Sequence, residues 1–229
     1  MKTHWCVIPA AGRGRRFGGE TPKQYLQVAG RSILLHTLDA LLSHPRVAGA
    51  MLAVADERLG FDFGDDLRGK PLRRCLGGAT RAESVANGLA ALPAEVAADD
   101  IVLVHDAARP NIRQADLDAL FAAVDKHADG AILAAPVRDT LKRADADGAI
   151  IATQPRTSLW RAFTPQAFAR GRLRAALAAA EARGIEVTDE AMAMELAGVQ
   201  PRLVEGSEDN FKITTRADLA RFEFLLAQR

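Results

Sequence analysis

Short apolar runs alternate with longer amphipathic stretches along this chain, and no other feature limits its fold so much. "WCVIPA", "VAGAMLAVA", "LRRCLGG", "DIVLVHDAARP" and "GAILAAPV" are too short for helices and predict strands. Between them, "SILLHTLDALLSH", "TRAESVANGLAAL" and "QADLDALFAAVDKHA" carry apolar residues at helical spacing. Ser32 is placed to cap the first helix, and Thr80 with Glu83 makes a capping-box pattern at the second. Such alternation implies parallel strands joined by crossover helices. The expected architecture is α/β, a mostly parallel open sheet with flanking helices and ligands at the carboxyl ends of its strands. Downstream, "RGRLRAALAAAEARG", "TDEAMAMELAG" and "TRADLARFEFLLAQR" predict helices, and "PRLVEG" and "NFKIT" predict closing strands.

One stretch breaks the rhythm. Residues 137–156, "VRDTLKRADADGAIIATQPR", predict two short strands about the turn "DADG", a hairpin outside the main sheet. Its apolar "AII" limb needs cover, and a second subunit would supply it. No internal repeat or linker-like composition divides the chain, so residues 1–229 form one domain carrying this arm.

The formal net charge is +1, so no global field draws the protein to nucleic acid or to an anionic membrane. No segment reaches the length of a membrane span, and the N-terminal apolar run is too short for a signal peptide. The two cysteines, Cys6 and Cys75, form no CxxC pattern and fit a reducing, cytoplasmic compartment. The five histidines are scattered and make no zinc cluster.

Chemistry concentrates in "PAAGRGRRFGGETPKQ", directly after the first strand. A Walker loop is absent, because no Lys-Ser or Lys-Thr pair follows a glycine at the required spacing. The dinucleotide pattern starts at Gly12 and Gly14 but meets Phe17 at its third position, and no acidic residue follows about twenty residues on. What remains is a glycine loop with Arg13, Arg15, Arg16 and then Lys23. Glycines let backbone N–H groups approach phosphate oxygens, while the cations neutralise several negative charges together. An exposed basic loop without a ligand has the same composition, and the other strand ends decide between them. Asp106 directly follows the apolar run "IVLV", which sets it at the sheet's carboxyl edge. A single carboxylate there suits magnesium completed by phosphate oxygens and water, or else a pair with Arg109. No nucleophile elbow or Ser-His-Asp constellation is legible. Polyphosphate, magnesium and no protein nucleophile suggest nucleotidyl transfer, in which an anionic substrate supplies the attacking oxygen.

Taken together, "PAAGRGRRFGGETPKQYL", "GGATRAESV", "LVHDAARP", "APVRDTLK", "TPQAF", "TDEA" and "EGSEDNFKIT" resemble the 2-C-methyl-D-erythritol 4-phosphate cytidylyltransferase family. The resemblance runs from about Val7 to Leu219. It implies a Rossmann-like domain, a β-arm that interlocks two subunits, and a magnesium-dependent reaction of CTP with methylerythritol phosphate. The products are the cytidine diphosphate derivative and pyrophosphate, on the non-mevalonate route to isoprenoids.

Carried over by position, the resemblance assigns Arg16 and Lys23 to the triphosphate, and the backbone of Ala10, Ala11 and Gly12 to the nucleotide. Gly77, Ala79 and Ser84 would surround cytosine. Asp106 would bind magnesium and Arg109 the methylerythritol phosphate. Thr140 and Arg156, on the arm, would reach the partner subunit's site. Thr164, Thr188 and Lys212 would complete the substrate pocket, with Arg156 and Lys212 holding the attacking phosphate. Phe17 stands where methionine is usual, and Ala79-Thr80 replaces a pair that is usually acidic. Two alternatives stand beside this reading: a cytidylyltransferase for another polyol phosphate, such as ribitol 5-phosphate, and a non-catalytic nucleotide-binding regulator.

Overall fold

The structure is a computed structural model, and it describes residues 2–12, 17, 21–56 and 64–228. Its strands in chain order begin with β1 (His4–Pro9), β2 (Gln27–Val28), β3 (Arg31–Ser32), β4 (Val47–Val54), β5 (Asp66–Leu67) and β6 (Lys70–Leu76). They continue with β7 (Ile101–Val104), β8 (Ala131–Pro136), β9 (Leu141–Ala144), β10 (Ile150–Gln154), β11 (Trp160–Ala169) and β12 (Arg202–Glu205). The helices are α1 (Ile33–Leu42), α2 (Arg81–Ala90), α3 (Gln114–Lys126), α4 (Arg170–Ala182), α5 (Glu190–Leu196) and α6 (Arg216–Ala227).

The main sheet has eight strands in the order β12-β8-β11-β7-β1-β4-β6-β5. Its β7-β1-β4-β6 centre is parallel, and β12 is parallel to β8. Alternation along β1 explains the layering. Cys6 and Ile8 face the core shared with α1 and α3, built on Leu38, Leu41, Leu117 and Phe121. Trp5 and Val7 face the opposite core, shared with α2, α4 and α5 through Leu89, Leu173 and Met194. Period two sends successive side chains to opposite faces, so a sheet covered by helices on both sides needs apolar residues throughout. That is why "WCVI" and "IVLV" show no polar alternation.

The helix starts follow their caps. Ser32 Oγ accepts from the Leu35 N–H at 3.1 Å, and Thr80 Oγ1 from the Glu83 N–H at 3.1 Å. The reciprocal half of the box expected at Thr80 is displaced: Glu83 Oε2 accepts from the Ala79 N–H at 2.7 Å, one residue earlier. A full capping box occurs instead at α6, between Thr215 and Asp218.

One strand is present that the sequence analysis did not place, and one that it placed is absent. The run around "TPQAF" is the interior of a ten-residue strand, β11, which inserts antiparallel between β7 and β8. It contains the cis Thr164-Pro165 bond, and its register shifts between Ala162 and Gln166. "NFKIT" is not a strand. It crosses the sheet's carboxyl edge as a loop, held where Asn210 Nδ2 donates to the Thr164 carbonyl at 2.8 Å and the Ile213 N–H to the Ala108 carbonyl at 2.9 Å. Sheet partners are thus replaced by specific contacts, which apolar periodicity does not report.

The hairpin forms as expected. β9 and β10 pair only with each other, about the Asp145–Gly148 turn. Ile150 and Ile151 are 67% and 55% exposed, so this limb has no cover within its own chain.

Candidate active site

Three strand ends make the site: those of the neighbours β7 and β1, and that of β6, one strand further across β4. β1 runs into Ala10, Ala11 and Gly12; β6 into Gly77 and Gly78; β7 into His105 and Asp106. Backbone bonds carry the sheet's order into these turns: Ala10 N–H donates to Ala53 O, Gly77 N–H to Val54 O, and His105 N–H to Val7 O. The cleft between them measures about 620 Å³ and is lined by Ala10, Ala11, Gly12, Lys23, Ala79, Ser84, Asp106 and Lys212, among others.

The first wall is shaped by a residue that the sequence reading left without a role. Gln24 is buried, and its amide donates to the Ala10 carbonyl at 2.7 Å and the Gly12 carbonyl at 2.9 Å. These bonds engage the two carbonyls and fix the loop. Lys23, on the same short turn, donates to the Ile213 carbonyl at 2.7 Å while lining the cleft. Arg16 lies outside the described residues, as do Arg13 and Arg15.

The second wall is the glycine turn before α2. A Cβ on Gly77 would lie 2.5 Å from Ala11 Cβ and 2.9 Å from Ser84 Oγ, so only glycine lets the two walls meet. Ser84 is buried; its hydroxyl accepts from the Gly78 N–H at 3.0 Å and donates to the Thr80 carbonyl at 2.9 Å. It holds the turn together while lining the cleft.

Asp106 is the electrostatic centre. Its Oδ1 accepts from Arg81 Nε at 3.2 Å; its Oδ2 accepts from Arg109 Nε at 3.0 Å and stands 3.1 Å from Lys212 Nζ. Burial alone would raise this carboxyl, but Arg81, Lys212 and Arg109 carry it well below the usual carboxylate range. Arg109 is 9% exposed and also donates to the Asn210 carbonyl at 2.7 Å. Arg81 forks onto the buried Glu190, with Nη1 to Oε1 at 2.6 Å and Nη2 to Oε2 at 3.1 Å. The side chain of Lys212 remains a third exposed, 34%, on the cleft side of this cluster.

A neutral relay holds Asp106 from beneath. His105 Nε2 faces the Arg109 carbonyl at 3.0 Å, an acceptor only, so that nitrogen carries the proton. Nδ1 then accepts from the Thr164 hydroxyl at 3.0 Å, and the same hydroxyl oxygen accepts from the Asp106 N–H at 3.0 Å. Burial pushes the His105 pKa down to about 4, which keeps the ring neutral.

The structure therefore brings Ala10, Ala11, Gly12, Lys23, Ala79, Ser84, Asp106 and Lys212 to one cleft and packs Gly77, Arg109 and Thr164 against it from behind. Thr188 lines a neighbouring cavity of about 790 Å³ that shares Thr80 and Arg81 with the cleft. Thr140 and Arg156 lie exposed on the arm, where Arg156 donates to the Arg138 carbonyl. Gln24, Arg81, His105, Glu190 and Asn210 were missed as site residues. All five sit inside the quoted motifs, but a buried bridging role leaves no mark in periodicity or composition.

The profile of the 2-C-methyl-D-erythritol 4-phosphate cytidylyltransferase family matches residues 5–228. The chain belongs to this family. It is 60% identical over 225 residues to the Stenotrophomonas maltophilia K279a protein of that name, covering 98% of this chain and 97% of the relative. The Xylella fastidiosa 9a5c protein of the same name matches at 60% identity over the same shares. Among solved structures, a 4-diphosphocytidyl-2C-methyl-D-erythritol synthase superposes with a TM-score of 0.84 at 38% identity, covering 99% of each chain. The cytidylyltransferase of Thermus thermophilus superposes with a TM-score of 0.77 at 34% identity, covering 98% of each. The α/β Rossmann-like fold of this family is the fold of the enzyme described above.

Proposed function

We propose that the enzyme transfers the cytidylyl group of CTP to 2-C-methyl-D-erythritol 4-phosphate, releasing pyrophosphate. The observation that carries this reading is the placement of two lysines in one cleft: Lys23 on the wall made by the β1 loop, and Lys212 at the edge of the Asp106 cluster. In family membership this chain matches relatives named for the same reaction over 98% of its length.

We assign the triphosphate to the Ala10–Gly12 turn and Lys23, with Arg16 as a further partner. Cytosine goes to the Gly77–Ala79 turn that Ser84 supports. The phosphate of the second substrate is an anion at pH 7 and needs no protein base to attack the α-phosphorus. One P–O bond forms from that phosphate oxygen, and the bond between the α-phosphorus and the pyrophosphate oxygen breaks. The enzyme aligns the two anions and neutralises the charge that moves onto pyrophosphate. Lys212 faces the attacking phosphate. Arg109 and Thr164, whose polar atoms are engaged with Asp106, Asn210 and His105, hold Lys212's anchor. Thr188 is assigned to the far end of the polyol.

Magnesium bound by Asp106 does not fit the donor set. Both carboxylate oxygens already accept from cationic side chains at 3.0–3.2 Å, and among the described residues no group of three His, Cys, Asp or Glu side chains can hold a metal. We assign magnesium to the substrate, arriving on the triphosphate as MgCTP with no protein ligand.

The arm is proposed to complete a homodimer, with Thr140 and Arg156 entering the partner's cleft. Ile150 and Ile151 support this, since an isolated two-stranded hairpin is marginal in water and this one leaves its apolar limb exposed. No helix among the described residues is long and apolar enough to cross a membrane, and we place the enzyme in the cytoplasm.

Pyrophosphate release on mixing the protein with MgCTP and methylerythritol phosphate tests the reading, with ribitol 5-phosphate as the parallel acceptor. Faster turnover of ribitol 5-phosphate overturns the assigned acceptor. Nucleotide binding without release from either acceptor makes the protein a regulator.

A further inference from the structure

Glu190 is 1% exposed and does not line the cleft, yet it holds a group that does. It opens α5 and accepts both Nη groups of Arg81, at 2.6 and 3.1 Å. Arg81 is left with Nε for Asp106, at 3.2 Å on Oδ1. Asp106 is thereby divided: Oδ1 serves Arg81, and Oδ2 serves Arg109 and Lys212.

That division has a physical cause. A guanidinium prefers to take both oxygens of a carboxylate through two parallel N–H donors. Arg81 does so with Glu190 and can therefore offer Asp106 only a single bond. Without the Glu190 charge, the nearest anion for the Arg81 fork is Asp106 itself. A forked Arg81 would occupy Oδ2 as well and push Lys212 off it. Resting on the proposed assignment of Lys212 to the attacking phosphate, we infer that Glu190 is a positioning residue for the transfer, acting through Arg81 and Asp106 to set where the Lys212 ammonium stands.

A purely structural ion pair predicts something else. Buried pairs contribute little net stability, and removing one partner costs stability wherever the rest of the site is unchanged. The two accounts separate in a kinetic cycle of Glu190→Gln, Lys212→Ala and the double variant, measured by pyrophosphate release and by thermal midpoint. The expected result is that Glu190→Gln lowers kcat about 10-fold with KM for CTP changed less than about 3-fold. In the Lys212→Ala background the same substitution should then cost less than about 2-fold, because the group it positions is gone. Losses that multiply across the cycle, or an unchanged kcat in Glu190→Gln, overturn the inference. Should Glu190→Gln melt below the assay temperature, Arg81→Met with Glu190→Leu is assayed instead, since this removes both charges together. With Arg81 gone no fork can displace Lys212 from Asp106, so kcat in that variant should fall by less than about 10-fold, and a larger loss at wild-type thermal stability overturns the inference. The cycle is run on whichever acceptor the wild type turns over, so a wrong acceptor fails in the wild type and a wrong strut fails in the ratios.

Discussion

Lys212 Nζ stands 3.1 Å from Asp106 Oδ2, and Arg81 and Arg109 take the remaining sides of the same carboxylate. Three cations around one buried anion make Asp106 an anchor. Asp106→Asn should lower kcat by about 10²–10³, because the charges it aligns are released. It should also lower the thermal midpoint, since an unpaired buried charge costs about 3–5 kcal/mol. Titrating magnesium into the variant should restore nothing. Recovery of turnover at high magnesium would return Asp106 to the role of metal ligand.

Lys23 is held in place by the Ile213 carbonyl and by the Gln24 bonds next to it. A preorganised cation is worth most where charge develops, so Lys23→Ala should lower kcat by about 10²–10³ with a smaller change in KM for CTP. The fold should hold, because Lys23 itself belongs to neither core. Steady-state kinetics and a thermal melt check both. A raised KM with kcat intact would reassign Lys23 to ground-state binding.

His105 ties the site to acid stability. Its folded pKa is about 4, because burial opposes the charged ring, while the unfolded side chain titrates near 6.5. Above that pH both states are neutral and the ring's titration does not change stability. As pH falls below about 6.5 the unfolded chain binds the proton first, so stability drops by about 1.4 kcal/mol per unit until the folded pKa is reached. Between pH 7 and pH 5 this amounts to about 2 kcal/mol. His105→Gln should start less stable yet lose less over that range. Denaturant titrations at pH 7, 6 and 5 compare the slopes, and equal slopes would show that the ring charges freely in the folded state.

Most of the scaffold was legible in the sequence because the physics behind it is local. Four-residue apolar runs such as "IVLV", too short for helices, read as strands buried on both faces, and Ser32 and Thr80 announce their helices by capping. The hairpin was legible from the turn and the apolar limb beside it. β11 was not, because its antiparallel insertion joins Gln166 to Val104 and to Ile132, partners far away in sequence. The same holds in the site. Asp106 was found from its place after a strand, but its three cations come from Arg81, Arg109 and Lys212, and only Arg109 is a near neighbour. Arg81 and Glu190 are 109 residues apart, and nothing local in either predicts the other.

Gly77 sets the distance between the Ala10–Gly12 turn and its own. An added Cβ would fall 2.5 Å from Ala11 Cβ, closer than such atoms approach, so the two walls must part. Gly77→Ala should raise KM for CTP by about 10-fold or more, through the loss of about 1.4 kcal/mol of binding. Because Lys23 and Lys212 lie on other segments, kcat at saturating CTP should change less. A titration of CTP against the variant by calorimetry gives the affinity directly, and an unchanged affinity would move the base away from this turn.

The arm gives the most exposed prediction. If Arg156 of one subunit serves the site that contains the other subunit's Lys23, then Lys23→Ala and Arg156→Ala each produce a dimer with two damaged sites. In a twofold dimer the exchange is reciprocal. Mixing the two variants after dissociation yields heterodimers in which one site carries both defects and the other carries neither. With random pairing half of the chains enter heterodimers, and half of the sites in those are intact, so activity should return to about a quarter of wild type. Ile150→Asp with Ile151→Asp should prevent the recovery by removing the apolar limb that the partner covers, since both side chains are more than half exposed in the single chain. Differently tagged subunits confirm exchange by co-purification. Confirmed exchange without returning activity would place Arg156 in the cleft of its own chain, and the hairpin would then serve assembly alone.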